Sequence, residues 1–527
     1  MRNEIIRLYK TLHTWTGIVS GLFLFVAFYG GALTLFAQPL DRWASPPVAA
    51  PVTDIARAPG VIAATLAAHP EASREFILHL GGGGEPLHLS WGKGRADPVQ
   101  RTATPVADGR LIFDQRPAEG LGHFIDLIHR TAGLPGDREI GTAVMGGVSA
   151  LYALALISGV IMILPSVRRD LLALRIGPNL KRLWMDAHTL VGVASLPFHI
   201  VIALTAVVFG LHDLIYDSLD KAVYDGRLAV AMRADNPLTA IRPDPAAARL
   251  LPPEDLLARV RAAAPGFEPT DLWYRDAGTA GASVRVWGTD DRYLTRGRGF
   301  LTMSPVSGAI VDTNYLPGHQ GAYSAVVTAF FALHFAGFGG MAVKWGYFLL
   351  GLAGAFLFYS GNLLWVESRR RTLRRTGAPG PQTRSTRLMA ALTVGVCLGA
   401  VAGLSATIAA EKWLAARVAD PVLWRQGIYD AVFLGAVLWS LVRGAGRSAG
   451  PLIWLAAATT AAIPATSALA LVFPGLSLWA HGDTAGVDAT ALAGAVALAL
   501  MARVAGRRAR TGPSDSVWSA IAAGKAA

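Results

Sequence analysis

The sequence predicts a mainly α-helical, polytopic membrane protein with about eight spans, and two observations carry that prediction. Of its 527 residues, 53% are hydrophobic and 16% are charged, whereas a typical soluble protein has about 25% charged residues. The apolar residues also fall in blocks near the twenty or so that a helix needs to cross the hydrocarbon core. The blocks are roughly 13–37, 141–165, 186–212, 341–366, 386–410, 422–442, 451–473 and 487–505. A soluble globular protein is therefore excluded.

The charge of the chain follows the predicted spans. Lys and Arg number 48 against 36 Asp and Glu, a net charge of +12. Basic residues precede the first span and follow every even-numbered span, as at Arg2, Arg7, Lys10, Arg168, Arg169, Lys181, Arg182, Arg369, Arg370, Arg371, Arg443, Arg447, Arg503, Arg507 and Arg508. The positive-inside rule then predicts that both termini are cytoplasmic. The excess positive charge therefore reflects basic residues on the cytoplasmic side of the membrane, and no nucleic-acid partner is expected.

Two polar segments, 41–118 and 214–320, interrupt the spans on the outer side. Alternating pieces predict strands, and each segment opens with a helical stretch. The strand-like pieces are Glu75–Leu80, Leu87–Trp91, Ser283–Trp287 and Ala309–Asp312, and the helical stretches are Ile55–Ala68 and Pro253–Ala264. We expect two small α+β domains, with histidines such as His79 and His88 at their surfaces.

The predicted organisation has seven parts. A first span (1–40) leads into the first outer domain (41–118), followed by an interfacial helix with spans two and three (119–213). The second outer domain (214–320) precedes an interfacial helix with span four (321–370). A four-helix membrane bundle (384–510) and a cytoplasmic tail (511–527) complete the chain.

The first four spans contain an internal duplication. His13-Thr14-Trp15-Thr16-Gly17 opens span one, and His188-Thr189-Leu190-Val191-Gly192 opens span three. The phrases Ile128–Gly133 and Leu333–Gly337 precede spans two and four, and the Ser-Gly pairs 158–159 and 360–361 lie within those spans. A parallel repeat of this kind predicts a four-helix core with a pseudo-two-fold axis along the membrane normal.

The repeat yields two matched sets of histidines. An imidazole in a span is costly unless it has a partner, so it marks a functional site by default. Equivalent histidines across a pseudo-two-fold axis can approach one cofactor from both faces, as in a b-type haem with two axial imidazoles. We expect His13 to pair with His188 and His129 with His334, which makes two haems. Since Cys397 is the one cysteine, thiolate ligation by cysteine clusters is excluded.

His199 is the alternative ligand of the outer pair. It follows His188 by eleven residues, so one straight helix would carry both on a single face, about 16 Å apart. Its counterpart in the first repeat is Leu24, and His199 therefore breaks the symmetry.

The phrase from Trp184 to His199, the segments His13–Gly17 and Leu333–Gly340, and the Ser-Gly pairs resemble the PepSY-associated transmembrane proteins over about residues 1–370. The resemblance implies two PepSY-like periplasmic domains, a bacterial inner-membrane location and b-type haem, and the best-understood members resemble siderophore reductases. The family's histidines correspond to His13, His129, His188, His199 and His334. Relatives often carry one more histidine where this chain reads Val160-Ile161-Met162-Ile163, which leaves the haem number open.

Three functions follow as hypotheses. The first is an oxidoreductase that passes electrons from a separate cytoplasmic donor to a periplasmic ferric siderophore; outer-sphere transfer needs no catalytic acid or base. A separate donor is implied because the sequence lacks a Walker A loop and a dinucleotide-binding GxGxxG. The second is a siderophore or solute permease, which broken helices and charge at the membrane midplane would favour. The third is a regulatory scaffold without redox activity.

Overall fold

The structure is a computed structural model that describes residues 3–47, 54–82, 85–93, 97–165, 180–234, 241–375, 382–415, 417–418, 420–513 and 516–520. The chain forms two compact units. The first comprises Met1–Pro46, Gly120–Leu211 and Gly346–Ala527, and the second comprises Pro47–Glu119 and His212–Trp345. Much of the basic loop predicted between spans two and three, and the end of the predicted tail, lie outside the described residues.

Helices dominate the chain. The first nine are α1 (Asn3–Thr34), α2 (Ala37–Ala44), α3 (Ala58–Ala68), α4 (Leu121–Thr131), α5 (Arg138–Ile163), α6 (Leu180–Ala194), α7 (Leu196–Gly210), α8 (His212–Ala222) and α9 (Leu228–Ala234). They are followed by α10 (Pro253–Ala263), α11 (Ala322–Phe335), α12 (Gly340–Arg375), α13 (Arg384–Leu414), α14 (Pro421–Arg443), α15 (Ala445–Val472) and α16 (Ala485–Thr511).

The protein is a multi-pass membrane protein. Among the described helices, α1, α5, α12, α13, α15 and α16 are long and apolar enough to cross a bilayer, and α6 with α7 adds a seventh if the bent pair is one span. The sixth predicted span, 422–442, corresponds to α14, which is helical over 23 residues but carries Arg425 and Asp430. By length and composition, α14 is not among these candidate spans.

The third predicted span is bent. The axes of α6 and α7 differ by 71° across the break at Ser195. Pro197 stands in the first turn of α7, where its missing N–H is tolerated but no helix can continue through it unbent. The Ser195 hydroxyl donates to the carbonyl of Val191 at 2.6 Å, a back-bond that bends helices. The expectation of one straight helix carrying His188 and His199 is therefore wrong.

The second unit is built on a sheet. Its strands are β1 (Glu75–His79), β2 (His88–Trp91), β3 (Val99–Pro105), β4 (Leu111–Pro117), β5 (Glu268–Arg275), β6 (Ser283–Thr289), β7 (Gly299–Met303) and β8 (Ile310–Tyr315). The order is β4-β3-β2-β1-β5-β6-β7-β8, and every pair is antiparallel. Two four-stranded meanders thus join edge to edge through β1 and β5. The two segments predicted as separate domains instead share one sheet, because pairing covers edges that would otherwise be exposed.

One face of this sheet packs on α3 and α10. Phe76 and Leu78 of β1 and Leu272 of β5 are almost completely buried in this core, which also includes Leu256 of α10. Strand β6 alternates strictly between buried and partly buried residues, the pattern of a strand with one face on a core. Each fully buried apolar side chain of this size contributes about 1.5–3 kcal/mol.

Candidate functional site

Two histidines of the first unit meet between α1 and α6. The ring centroids of His13 and His188 are 6.4 Å apart, and the ring planes are inclined by 78°. Each ring is oriented through Nδ1: His13 Nδ1 lies 2.8 Å from the carbonyl oxygen of Ala155, and His188 Nδ1 lies 2.9 Å from Oγ of Ser360. This arrangement leaves Nε2 of each ring for a second partner. The two rings therefore lie close together, as the sequence predicts, and their role as a ligand pair stays a prediction.

The duplicated Ser-Gly pairs receive the two histidine rings. A Cβ added to Gly159 would lie 3.0 Å from Cε1 of His13, and one added to Gly361 would lie 3.6 Å from Cε1 of His188. The preceding Ser158 and Ser360 are buried and donate to carbonyls of their own helices. Small residues at these positions let an imidazole lie directly on a neighbouring helix.

Glycine also follows each histidine after one helical turn. A Cβ on Gly17 would meet no heavy atom within 4 Å, and one on Gly192 would meet a single Leu357 methyl at 3.7 Å. The helix surface one turn beyond each histidine therefore borders open space, which the side chain of any residue other than glycine would occupy. A flat macrocycle, if one were held between the two rings, would need such clearance.

His129 lies on α4 at a second level along α1. Its Nδ1 is 2.7 Å from the carbonyl oxygen of Ala27, which is fourteen residues beyond His13 and so about 20 Å further along the helix. A Cβ on Gly31 would lie 2.9 Å from Cε1 and Nδ1 of His129. The small pair predicted at Gly30-Gly31 thus accommodates this ring.

His199 is buried at the level of Phe28, whose ring is 5.6 Å away. Its Nδ1 lies 2.6 Å from the Tyr152 hydroxyl oxygen, which is also 3.3 Å from the His199 carbonyl oxygen. If the hydroxyl donates to that carbonyl, Nδ1–H donates to the hydroxyl oxygen and Nε2 keeps its lone pair. Nε2 is buried and has no hydrogen-bond partner among the described residues. A buried orphan nitrogen of this kind suits a metal ligand.

His334 belongs to the second unit, in α11. Its helix ends at Ala336 with left-handed backbone, as α4 ends at Ala132. His129 precedes its left-handed alanine by three residues, whereas His334 precedes its own by two. The two histidines are therefore offset by one position, about 100° around a helix. The pairing of His129 with His334 stays a prediction.

The separation of the His13 and His188 rings, 6.4 Å between centroids, equals that of two imidazoles that would hold one metal ion between them. A metal–nitrogen bond is about 2 Å long and an imidazole centre lies about 1.2 Å from its nitrogen, so two rings on opposite sides of one ion have centroids about 6.4 Å apart. A haem needs only axial ligands from the protein. Among the described residues, no group of three or more His, Cys, Asp and Glu could hold a metal ion.

Buried charges in the C-terminal helices were missed by the sequence reasoning. Glu411 and Arg425 are each buried and form a two-pronged ion pair at 2.8 and 2.5 Å. Lys412 is fully buried beside them. The apolar block 386–410 ends just before these residues, whereas α13 runs on to Leu414. Their charges within an otherwise apolar helical run were the available signal.

Histidines expected at the surface of the sheet are in fact bonded. His79 and His88 stack at 4.2 Å, and His79 bridges Asp271 Oδ1 (2.6 Å) and Ser90 Oγ (2.8 Å). Burial and the neighbouring charge of His79 lower the pKa of His88 to about 4. Burial alone would raise the pKa of Asp271, but its bond to His79 and the charge of Arg298 outweigh this and lower it. This cluster lies where the two meanders join.

The family model for the PepSY-associated TM region matches residues 10–368, more than half of the chain. The chain belongs to this family. The matched region contains all five candidate histidines and ends before α13. No functionally curated protein matches the chain in sequence. The helices α13–α16 of this PepSY-associated protein therefore lie outside the family region.

Proposed function

We propose that this protein is a b-type haem reductase of the bacterial inner membrane, which passes electrons from a cytoplasmic donor to a periplasmic ferric siderophore. The observation that carries the proposal is the His13–His188 pair, whose 6.4 Å centroid separation and engaged Nδ1 atoms suit two axial ligands of one iron. The buried, unpartnered Nε2 of His199 supports a second haem about 20 Å further along α1.

Both termini are proposed to be cytoplasmic, with the sheet as a pair of PepSY-like modules in the periplasm. Basic residues at alternate span ends support this orientation. If both termini lie on the same side, the number of membrane crossings must be even. The six long helices and the bent pair make seven crossings, so α14 must also cross the membrane and bring the total to eight. Its Arg425 is neutralised by Glu411, which makes that helix compatible with the bilayer. The two segments of the second unit then follow odd-numbered spans and share one side.

The protein's own residues would hold and orient the cofactor. Hydrogen bonds from Nδ1 to a carbonyl or hydroxyl fix the ring tautomer and direct Nε2 toward the metal, the usual outer-shell role. Ala155 and Ser360 would do this for the inner pair, and Tyr152 for His199. A bound haem supplies reversible one-electron chemistry. Gly17 and Gly192 leave room for its ring.

The substrate side of the proposal is a ferric chelate in the periplasm. One electron converts ferric to ferrous iron, which oxygen ligands of a siderophore hold weakly, so the ion is released. The donor is proposed to be a separate protein or quinol on the cytoplasmic side of α1 and α6.

The absorption spectrum of the purified full-length protein, before and after dithionite, tests the proposal. We expect a low-spin haem spectrum with a shifted Soret band and a sharpened α-band on reduction. His13→Ala and His129→Ala should each remove one haem and leave the other. A colourless protein from haem-replete cells would exclude the reductase, and loss of both haems from each single change would exclude separate sites.

A permease for a siderophore or another solute is the second candidate. The 71° break between α6 and α7 favours it, because discontinuous helices commonly form transporter substrate sites. The two candidates make different predictions in proteoliposomes. A permease takes up the ferric chelate whole without haem, whereas a reductase produces ferrous iron, trapped by a chelator outside, only when reductant is supplied to the donor side.

A further inference from the structure

The helix that carries His129 is held by residues outside the family region. Tyr429 of α14 is completely buried, and its ring lies 6.1 Å from that of Phe124 on α4. At the end of α4, a Cβ added to Gly133 would lie 2.2 Å from the Tyr429 hydroxyl oxygen. Gly133 has φ of +67°, a conformation that glycine adopts without strain. Helix α4 and Tyr429 are thus in direct contact near His129.

The other end of α4 is fixed to α2. The Gly122 N–H donates to Asp41 Oδ1 at 2.8 Å. A Cβ on Gly122 would lie 2.7 Å from Asp41 and 2.8 Å from Ala37, so the two helices approach as closely as their backbones allow. The position of α4 therefore depends on the position of α2.

Helix α2 is in turn anchored in the C-terminal helices. Trp43 is fully buried, and its indole N–H lies 2.9 Å from Asp488 Oδ1 of α16. The Lys412 ammonium of α13 lies 3.8 Å from the Trp43 ring centre and donates to Ser467 Oγ at 2.8 Å. Trp479 closes the network by donating its indole N–H to the Trp43 carbonyl at 3.1 Å. Buried charges are costly in an apolar helix bundle unless they are satisfied in this way.

We propose that helices α13–α16 form a clamp that sets the position of α4 and thereby of His129, with Tyr429 and Lys412 as positioning residues. The clamp acts at both ends of α4, directly through Tyr429 and through α2 from Lys412. Helices α13–α16 would thus have a role at the level of His129 and His199. Its consequence for a bound cofactor rests on the proposed function, whereas its effect on α4 does not.

Hydrogen exchange of the full-length protein, measured by mass spectrometry, tests the clamp without a cofactor. In Tyr429→Ala and in Lys412→Met, amides of α4 should exchange at least about tenfold faster than in the unmodified chain. Those of α7 around His199 should be unchanged. Tyr429→Leu replaces the alanine variant if that one does not accumulate.

Two controls are matched to these variants. Tyr429→Phe keeps the ring, and the lost hydroxyl has no hydrogen-bond partner among the described residues, so α4 should stay protected. Ser440→Ala removes another buried bond of α14, to the Ala391 carbonyl, eleven residues from Tyr429. Unchanged exchange of α4 in the alanine and methionine variants would overturn the proposal, as would equal loss of protection in all helices.

Haem-loaded protein gives a second readout. In a His13→Ala background, Tyr429→Ala should shift the paramagnetic resonance signal of the remaining haem or lower its content. In a His129→Ala background, the same change should leave the remaining haem unaltered. The reverse pattern would contradict the clamp. If the unmodified chain binds no haem, the proposed function fails, while the exchange result still decides the clamp.

Discussion

Replacement of Gly31 by alanine should displace His129. The new Cβ would lie 2.9 Å from Cε1 and Nδ1 of the imidazole, whereas carbon atoms pack at about 3.5–4.0 Å. The ring must therefore move by about 0.6–1 Å. Its 2.7 Å hydrogen bond to the Ala27 carbonyl would then exceed the usual limit of about 3.2 Å. A metal–nitrogen bond of about 2 Å tolerates such a shift even less well.

Two equivalent substitutions calibrate this effect. In Gly159→Ala the new Cβ would lie 3.0 Å from the His13 ring, a contact that requires a small adjustment. In Gly361→Ala it would lie 3.6 Å from the His188 ring, which is ordinary van der Waals contact. The expected order of damage is therefore Gly31→Ala, then Gly159→Ala, with Gly361→Ala close to the unmodified chain.

The haem-to-protein ratio, measured as the pyridine haemochrome of purified protein, provides the assay. Gly31→Ala should lose the outer haem and keep the inner one, while Gly361→Ala keeps both. Displacement of His129 by the new Cβ is refuted if Gly361→Ala loses as much haem as Gly31→Ala, or if Gly31→Ala retains both haems with an unaltered spectrum. The thermal midpoint of each variant, measured on the same samples, distinguishes displacement of a ligand from misfolding.

Three further predictions concern other parts of the chain. In Gly17→Ala the new Cβ would meet no protein atom within 4 Å, so the thermal midpoint should not fall. The methyl group would occupy the space proposed for the haem ring, so the content of the inner haem should fall; an unchanged content contradicts the proposal that Gly17 leaves room for the haem. Arg425→Met leaves Glu411 buried and unpaired, so unfolding should cost about 3–5 kcal/mol less in denaturant titration, and replacing both residues by Met should restore most of it. The pKa of His88 falls from 6.5 to about 4 on folding, so between these pH values the unfolded chain binds a proton that the folded chain does not. The free energy of unfolding should therefore be highest above pH 6.5 and fall by about 3 kcal/mol as the pH drops toward 4. His88→Gln should flatten that part of a stability-versus-pH curve, and an equally steep curve in the variant contradicts the assignment.

The sequence was sufficient for features that repeat or alternate locally. The closeness of His13 and His188 was predicted because the duplication placed both at the start of equivalent helices; their role as a ligand pair stays a prediction. Strands such as β6 were predicted because one face is buried and the other is not. The family was also identified from the third-helix phrase.

Features that depend on distant pairing were not predicted. The joining of β1 to β5 couples residues such as Phe76 and Tyr274, and the periodicity of a strand does not reveal which edge it will share. The span end at residue 410 excluded Lys412, since a scan for apolar residues cannot recognise charges that tertiary contacts will satisfy. The offset of His334 relative to His129 was visible in the sequence. Two residues separate His129 from the Ala-Gly pair that ends its helix, whereas one residue separates His334 from the equivalent pair.

Low-temperature paramagnetic resonance of the oxidised full-length protein tests whether His13 and His188 hold one haem, with His188→Ala as the comparison. Two imidazoles inclined by 78° on one iron should give a strongly anisotropic low-spin ferric signal. We predict that His188→Ala abolishes this signal and leaves a second low-spin signal in place. An unmodified protein without a low-spin haem signal, or one whose anisotropic signal survives in His188→Ala, would contradict the assignment of His13 and His188 as a ligand pair.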